Sequence, residues 1–254
     1  MRPFSWRFFR YWQRNRDVFF RLWRSEAPGV VIEPVIVLLA FGYGLGAFIG
    51  GVEGQSYIQF LAPGIIASYA MFSAIFEATY AAFVRMVFQN TYDAILATPL
   101  NAEDIIAGEI FWGATRALMT GTVILAIAAA FQLEMSPWAL LIIPLSLLQG
   151  IMFSSIAMLY TSLVPAIYSF NYFFTLIVNP MFFLGGVFFP LNSFPSWLQN
   201  AAWFAPLTPV VYLTRNLFQG ILEPRMWLAL GIVLAYGLVF FAISLVTMRR
   251  RLTV

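Results

Sequence analysis

Apolar runs dominate the chain, and the polar interruptions between them set its architecture. Long apolar stretches recur at 28–50, 59–86, 107–131, 137–163, 168–189 and 226–248. Each reaches or exceeds the roughly 20 residues that a helix needs to cross a hydrocarbon core. Pro, Gly and charged residues punctuate them. The pattern predicts an all-α integral membrane protein with six transmembrane helices in one domain, 1–254.

Two segments break this rhythm. The first 25 residues, MRPFSWRFFRYWQRNRDVFFRLWRS, are too charged to insert and lack the apolar core of a signal peptide. Arg7, Arg10, Arg14, Arg21 and Arg24, with Asp17, recur at three- and four-residue multiples and form one stripe on a helix. Phe4, Phe8, Phe9, Tyr11, Trp12, Phe19, Phe20 and Trp23 cover much of the remaining surface. An arginine-striped aromatic helix lies in the interface plane, so 1–25 is expected to be an amphipathic interface helix; a disordered basic tail is the alternative. The segment 190–225, with prolines at 190, 195, 206, 209 and 224, is too interrupted to cross the bilayer simply. Amphipathic pieces at 195–204 and 209–220 flank Pro206, and Trp197, Trp203 and Tyr212 suit the interfacial level. The expectation is an external hairpin over 190–220, re-entrant or surface-lying, marked by Pro190, Trp197, Trp203, Pro206, Pro209, Tyr212 and Arg215. A plain external loop with two short surface helices is the competing reading.

Composition agrees with the bilayer as solvent. The chain is 61% hydrophobic and 10% charged, with mean hydropathy +0.83, against about 45–50% apolar and about 25% charged in soluble domains. It contains no cysteine and no histidine, and all fourteen basic residues are arginine. Disulfides and thiolate chemistry are thereby excluded, and with them the commonest general base and metal ligand. Without lysine there is no G-x-x-x-x-G-K-[ST] phosphate loop. Intramembrane proteolysis is closed as well: it needs a histidine or two buried aspartates, and Asp17, Asp93 and Asp104 all fall outside the spans. The chain is therefore expected not to be an enzyme and to hold no cofactor or metal. Its pI near 9.3 comes from arginines beside apolar segments, which suits anionic lipid and not nucleic acid. Seven arginines precede residue 25 and three follow the last span. The positive-inside bias then puts both termini in the cytoplasm. Arg215 and Arg225 in the 190–225 segment fit an external location less well. No internal repeat is visible, which counts against an inverted-repeat carrier.

Charges within spans are costly and normally paired or functional. Glu77 lies about 12 Å from the cytoplasmic end of the second span, and Arg116 about 13 Å along the antiparallel third. These matched depths predict a pair. Arg85 and Glu109 form the corresponding shallow pair, with Glu33 near a similar level on the first span. Tying helices together, touching substrate or relaying protons, and snorkelling to water all remain open for these five residues. Between spans two and three, residues 92–97 have short apolar periodicity, stopped by Thr98 and Pro99. Asn101 then stands as N-cap, with Asp104 at N3. This stretch reads either as an ordinary loop or as a short docking helix for a soluble partner.

The stretches FLAPGIIASYAM from Phe60, FEATYAAFVRM from Phe76, YDAILATPL from Tyr92, DIIAGEI from Asp104, FLGGVFFP from Phe183 and PLTPVVYLTR from Pro206 occur in one order along nearly the whole chain. In that combination the sequence resembles the membrane subunits of type-two ABC exporters, in particular the branch containing the nodulation-factor (lipochitooligosaccharide) export permease. The resemblance implies a homodimer in a bacterial inner membrane with two copies of a separate ATPase, which carries the ATP and Mg. It makes Tyr92, Asp93, Ala94, Ile95, Leu96, Thr98 and Pro99 the coupling helix received by that ATPase. The N-terminal helix maps onto 3–24 and the external hairpin onto about 190–220. Relatives export lipo-oligosaccharides, polysaccharides, teichoic acids and drugs. The implied activity is ATP-driven movement of an amphipathic lipid-linked, oligosaccharide or drug-like substrate out of the cytoplasm or inner leaflet. The missing lysine agrees, since another chain must then bind ATP. An ion-coupled secondary carrier and a non-transporting membrane scaffold are the alternatives, and both would work without any ATPase.

Overall fold

A computed structural model describes residues 6–49 and 51–252, with backbone alone for Glu26, Ala27, Gly29 and Val30. The expected start of the N-terminal helix, including Phe4, and the last residue assigned to the first span, Gly50, lie outside the described residues. Among the described residues six helices are long and apolar enough to cross a membrane: Val31–Ile49, Tyr57–Phe88, Ala102–Ala130, Pro137–Leu163, Ile167–Leu184 and Arg225–Leu252.

The first helix, α1 (Phe8–Leu39), runs through Pro28 and Pro34 without a break in its helical assignment and continues through a π-helical turn, Ala40–Leu45, and Gly46–Ile49. The separation expected between an interface helix ending at 25 and a span starting at 28 is therefore absent. Proline removes one backbone donor and can kink a helix, but the segments on either side stay in one element. A two-residue hairpin, β1 (Gly51–Val52) with β2 (Gln55–Ser56), leads into α2 (Tyr57–Phe76). Most of α2 is buried, and it forms the centre of the bundle. Two π-helical turns, Glu77–Ala81 and Val84–Phe88, extend it.

The chain then reverses at Asn90, whose φ of 50° is left-handed, a conformation that asparagine tolerates better than most residues. The short helix α3 (Thr91–Leu96) follows. The third span, α4 (Ala102–Ala130), starts at its capping box and not at 107: the Asn101 N–H donates to the Asp104 carboxylate at 3.2 Å. A 3-10 turn, Pro137–Leu141, opens the fourth span, which continues as α5 (Ile142–Leu163). Small residues let α4 and α5 approach closely; a Cβ on Gly150 would come within 2.7 Å of the Ala114 Cα.

The fifth span, Ile167–Leu184, is irregular, with a π-helical turn at Phe174–Val178. It closes as α6 (Asn179–Leu184), five residues short of the expected 189. Gly186 adopts φ 81°, available to glycine at no steric cost, and residues 185–188 fold back as buried, non-helical backbone against α2. Beyond it, α7 (Ser196–Ala202) is largely exposed. By contrast α8 (Leu207–Gln219) is buried along most of its length, packed on α2 and on the last span, α9 (Arg225–Leu252).

Candidate functional site: a charge cluster joining four elements

α1 lies along α4 through aromatic contacts. Phe8 meets Phe111 at 5.0 Å between ring centroids, and Phe19 meets Trp112 at 5.8 Å. The Trp12 Nε1–H donates to the Thr115 hydroxyl at 2.8 Å. Gly108 makes this approach possible, because a Cβ there would sit 2.7 Å from the Tyr11 ring. Phe8, Tyr11, Trp12 and Phe19 thus meet protein, while Phe9, Phe20 and Trp23 stay exposed.

The approach brings Tyr11 onto Glu109, whose side chain is 0% exposed. The Tyr11 hydroxyl donates to Glu109 Oε1 at 2.6 Å, and the Tyr92 hydroxyl, from α3, donates to the same oxygen at 2.8 Å. Arg85 donates through Nε at 2.8 Å and through Nη2 at 2.6 Å, one bond to each carboxylate oxygen. The Asn15 amide adds a longer contact at 3.4 Å. Burial first, and the Glu109 carboxylate second, push the Tyr11 and Tyr92 phenols well above the ordinary tyrosine value. Both therefore stay protonated and act as donors. One carboxylate gathers the N-terminal helix, the end of the second span, the connector helix and the third span.

Arg85 continues the cluster upward. Its Nη1 lies 2.8 Å from Glu77 Oε1, and Arg116 Nε lies 3.5 Å from Glu77 Oε2. The Arg116 guanidinium also covers the Phe19 ring at 4.5 Å. Arg116, Glu77, Arg85 and Glu109 form one alternating chain of charges, where sequence depth predicted two separate pairs. In a plain α-helix residues eight apart point about 80° away from each other. The π-helical turns between Glu77 and Arg85 hold more residues per turn and carry Arg85 back over Glu77. Glu33 stands outside this chain of ion pairs, accepting from the Tyr69 hydroxyl at 3.2 Å. It lines a 560 Å³ cavity together with Glu77 and Arg116. A second cavity, 510 Å³, has Arg14, Asn15, Arg85 and again Glu77 in its wall.

In the connector, Tyr92 points into the bundle while Asp93, Ala94, Thr98 and Pro99 are exposed and Ile95 and Leu96 are half-buried. Arg7 ties the far end of this segment to α1 by donating to the Pro99 carbonyl at 2.8 Å. Tyr11 and Asn15 were not singled out by sequence reasoning as partners of Glu109. Their four-residue spacing puts them on one helix face, but the arginine stripe and the aromatic content masked that signal.

The residues expected in the hairpin gather elsewhere, beyond the fifth span. Pro190 precedes a 3-10 turn, Leu191–Ser193, and Pro206 caps α8, with Pro209 buried in its first turn. Trp197 is exposed, whereas Trp203 stacks edgewise on Tyr212 at 5.6 Å. Arg215 donates to the Gly186 carbonyl at 2.8 Å and lies 3.9 Å over the Phe60 ring. Burial lowers its guanidinium to about 10, with Glu53 acting in the opposite direction. Among the described residues no group of three or more histidine, cysteine, aspartate or glutamate side chains could hold a metal ion.

Comparison with known proteins gives this arrangement its context. Residues 7–219 match the family described as ABC-2 type transporter. The chain is 36% identical over 250 residues to Nodulation protein J of Rhizobium meliloti (strain 1021), covering 98% of this chain and 95% of that protein. It is 38% identical over 243 residues to Nodulation protein J of Rhizobium leguminosarum bv. viciae, covering 95% and 93%. It is 26% identical over 233 residues to the Inner membrane transport permease YadH of Escherichia coli (strain K12), covering 91% and 90%. A family match over most of the chain, six helices able to cross a membrane and relatives covered almost end to end agree: this chain belongs to the ABC-2 type transporter family, as a multi-pass membrane permease subunit.

Proposed function

We propose that this permease is the membrane half of an ATP-driven exporter in which α3 is the element received by a separate ATPase. The observation that carries the proposal is the Tyr92 hydroxyl bond to Glu109. It connects an exposed six-residue helix to the buried charge chain and to the N-terminal helix. A push on the exposed face of α3, where Asp93 and Ala94 stand, reaches three long helices through one carboxylate. Two copies of this chain and two of the ATPase make the working unit, with both termini on the cytoplasmic side and 190–220 outside. ATP and Mg belong to the ATPase.

The cargo in this proposal is amphipathic: a lipid-linked or oligosaccharide substrate, or a drug of similar character, taken from the cytoplasm or inner leaflet. The resemblance to the lipochitooligosaccharide export permease branch, carried by the stretches from Phe60 to Arg215, favours the oligosaccharide class. The two cavities that share Glu77 mix charged groups with aromatic ones, among them Trp112 and Tyr80 in one and Phe72 and Tyr69 in the other. A polar head and an apolar tail each find matching surface there.

The test is copurification in mild detergent followed by ATPase assay. A nucleotide-binding chain should accompany the permease in stoichiometric amount. Asp93→Arg and Leu96→Asp should abolish stimulation of its hydrolysis while leaving the permease folded. Normal stimulation in both variants refutes the role of α3. Orientation is tested on this cysteine-free chain with cysteines at Ser56 and Ser193, both of which should react with an impermeant reagent from outside; protection of position 193 would invert the assignment.

A further inference from the structure

At the end of the bundle away from α3 lies a cavity that the transport proposal does not use. It measures about 740 Å³ and is bounded by the start of the fourth span, α8 and the start of α9. Its wall is built from leucines, among them Leu141, Leu145, Leu148, Leu213, Leu217 and Leu230, and Glu223 alone carries a charge among the described residues that line it. Smaller cavities of such composition stay free of water and take apolar ligands. In a membrane protein the apolar occupant at hand is a lipid acyl chain.

The mouth of the cavity carries a second, independent feature. Trp138 and Trp227 line it and are exposed, while Trp203 and Tyr212, outside the lining, contact the Arg225 and Glu223 side chains. Aromatic residues of this kind collect at the level of lipid headgroups. The Tyr212 hydroxyl donates to Glu223 at 2.6 Å. Two residues on, the Arg225 guanidinium rests over Trp203 at 4.4 Å and near Tyr212 at 6.0 Å. Both charges are exposed, and they make no ion pair with each other: the described ion pairs join other residues. Glu223 thus lines the groove itself, while Arg225, flanked in sequence by the lining residues Pro224 and Met226, is exposed outside the lining and held against Trp203.

We propose that this groove binds one zwitterionic phospholipid, with an acyl chain among the leucines, its phosphate on Arg225 and its ammonium on Glu223. The charge pattern selects the headgroup: an anionic phospholipid satisfies Arg225 but meets repulsion from Glu223, whereas a headgroup bearing both charges satisfies each. Bound there, the lipid fills the space between the fourth span, α8 and α9 and holds the 207–219 helix against the last span.

The experiment uses the full chain in lipid nanodiscs containing phosphatidylethanolamine with a photoreactive diazirine on its acyl chain. Adducts should concentrate on residues 138–148 and 222–230, above those on the exposed face at Leu234, Leu238 and Val239, which reports bulk lipid. Excess unlabelled phosphatidylethanolamine should suppress the groove adducts, and phosphatidylglycerol should not. Arg225→Gln and Glu223→Gln should each lower groove labelling several-fold and leave the Leu238 face unchanged, which also certifies the fold. Leu145→Trp, filling the groove without touching either charge, should remove it. Groove labelling no higher than at Leu238, equal suppression by phosphatidylglycerol, or wild-type labelling in both charge variants would overturn the proposal.

Discussion

Two arginines are built into opposite ends of this molecule by opposite means. Arg85 lies between two carboxylates, 2.6 Å from Glu109 and 2.8 Å from Glu77. Arg215 makes no ion pair among the described residues; it meets the Gly186 carbonyl and the face of Phe60, and its Nε is buried without a hydrogen-bond partner. The difference separates two uses of a buried cation. Arg85 is one link in a chain whose members all depend on it, so charge there is organisation between helices. Arg215 satisfies backbone at a place where the helix has ended and non-helical carbonyls sit inside the bundle, where each unsatisfied group costs several kcal/mol in the absence of water. The first arrangement can transmit movement, because each charge has a partner on another element; the second pins one turn.

The sharpest way to break this comparison is to substitute both arginines identically. Arg85→Met takes the shared cation from two carboxylates, leaving Glu77 only Arg116 at 3.5 Å and Glu109 no cation at all among its described ion pairs, and should cost about 3–5 kcal/mol of stability, read as a large fall in thermal midpoint in detergent. Arg215→Met leaves one strong carbonyl acceptor unpaired but also removes a lone buried cation, so the loss should be about 1–3 kcal/mol. Equal losses would show that the two sites are not different in kind. Next comes the pair at 3.5 Å. Glu77→Gln with Arg116→Gln should be milder than the sum of the singles by about 0.5–3 kcal/mol, and a strictly additive cycle would remove Arg116 from the chain of charges.

The smallest effect is in the response to alkali. Tyr11 and Tyr92 have phenols raised above the unfolded value of about 10. Their contribution is complete below pH 10 and declines as pH rises through and beyond it, because the unfolded chain loses protons that the folded one keeps. Arg215, lowered to about 10, acts in the other direction: above that pH its folded form sheds a proton that the unfolded form retains, and its burden eases. Unfolding measured from pH 9 to 11 should therefore show a fall in stability that Tyr92→Phe reduces and Arg215→Met steepens. An unchanged profile in Tyr92→Phe would mean that burial and the Glu109 carboxylate do not hold its phenol above the ordinary tyrosine value.

The spans were legible because twenty apolar residues in a row leave few alternatives. The capping box at Asn101 was legible for a similar reason: its partner, Asp104, lies within one turn. Depth along antiparallel spans places Glu77 opposite Arg116 and Arg85 opposite Glu109, and the corresponding separations are 3.5 Å and 2.6 Å. It failed to join the pairs because π-helical turns change the phase of a helix without leaving a mark in residue type. The early stop at Leu184 was hidden likewise. FLGGVFFP is apolar throughout, and only the demand for a left-handed residue at Gly186 and the reach of Arg215 across from α8 turn it into buried coil. Hydropathy cannot distinguish apolar helix from apolar turn when the partner that satisfies the turn lies 29 residues away.

The unbroken run of α1 gives the molecule a lever. A helix of 32 residues is about 48 Å long, so a tilt of about 5° around one end sweeps the other through about 4 Å. Its near end is gripped twice beside α3, by Arg7 on Pro99 and by Tyr11 on Glu109, and Glu33 lies toward its far end, facing the 560 Å³ cavity. A tilt about that end small enough to keep both contacts would thus be enlarged into a stroke the width of a side chain. Pro28 and Pro34, each missing a rung of the hydrogen-bond ladder, set how much of that stroke is spent in flexing the arm.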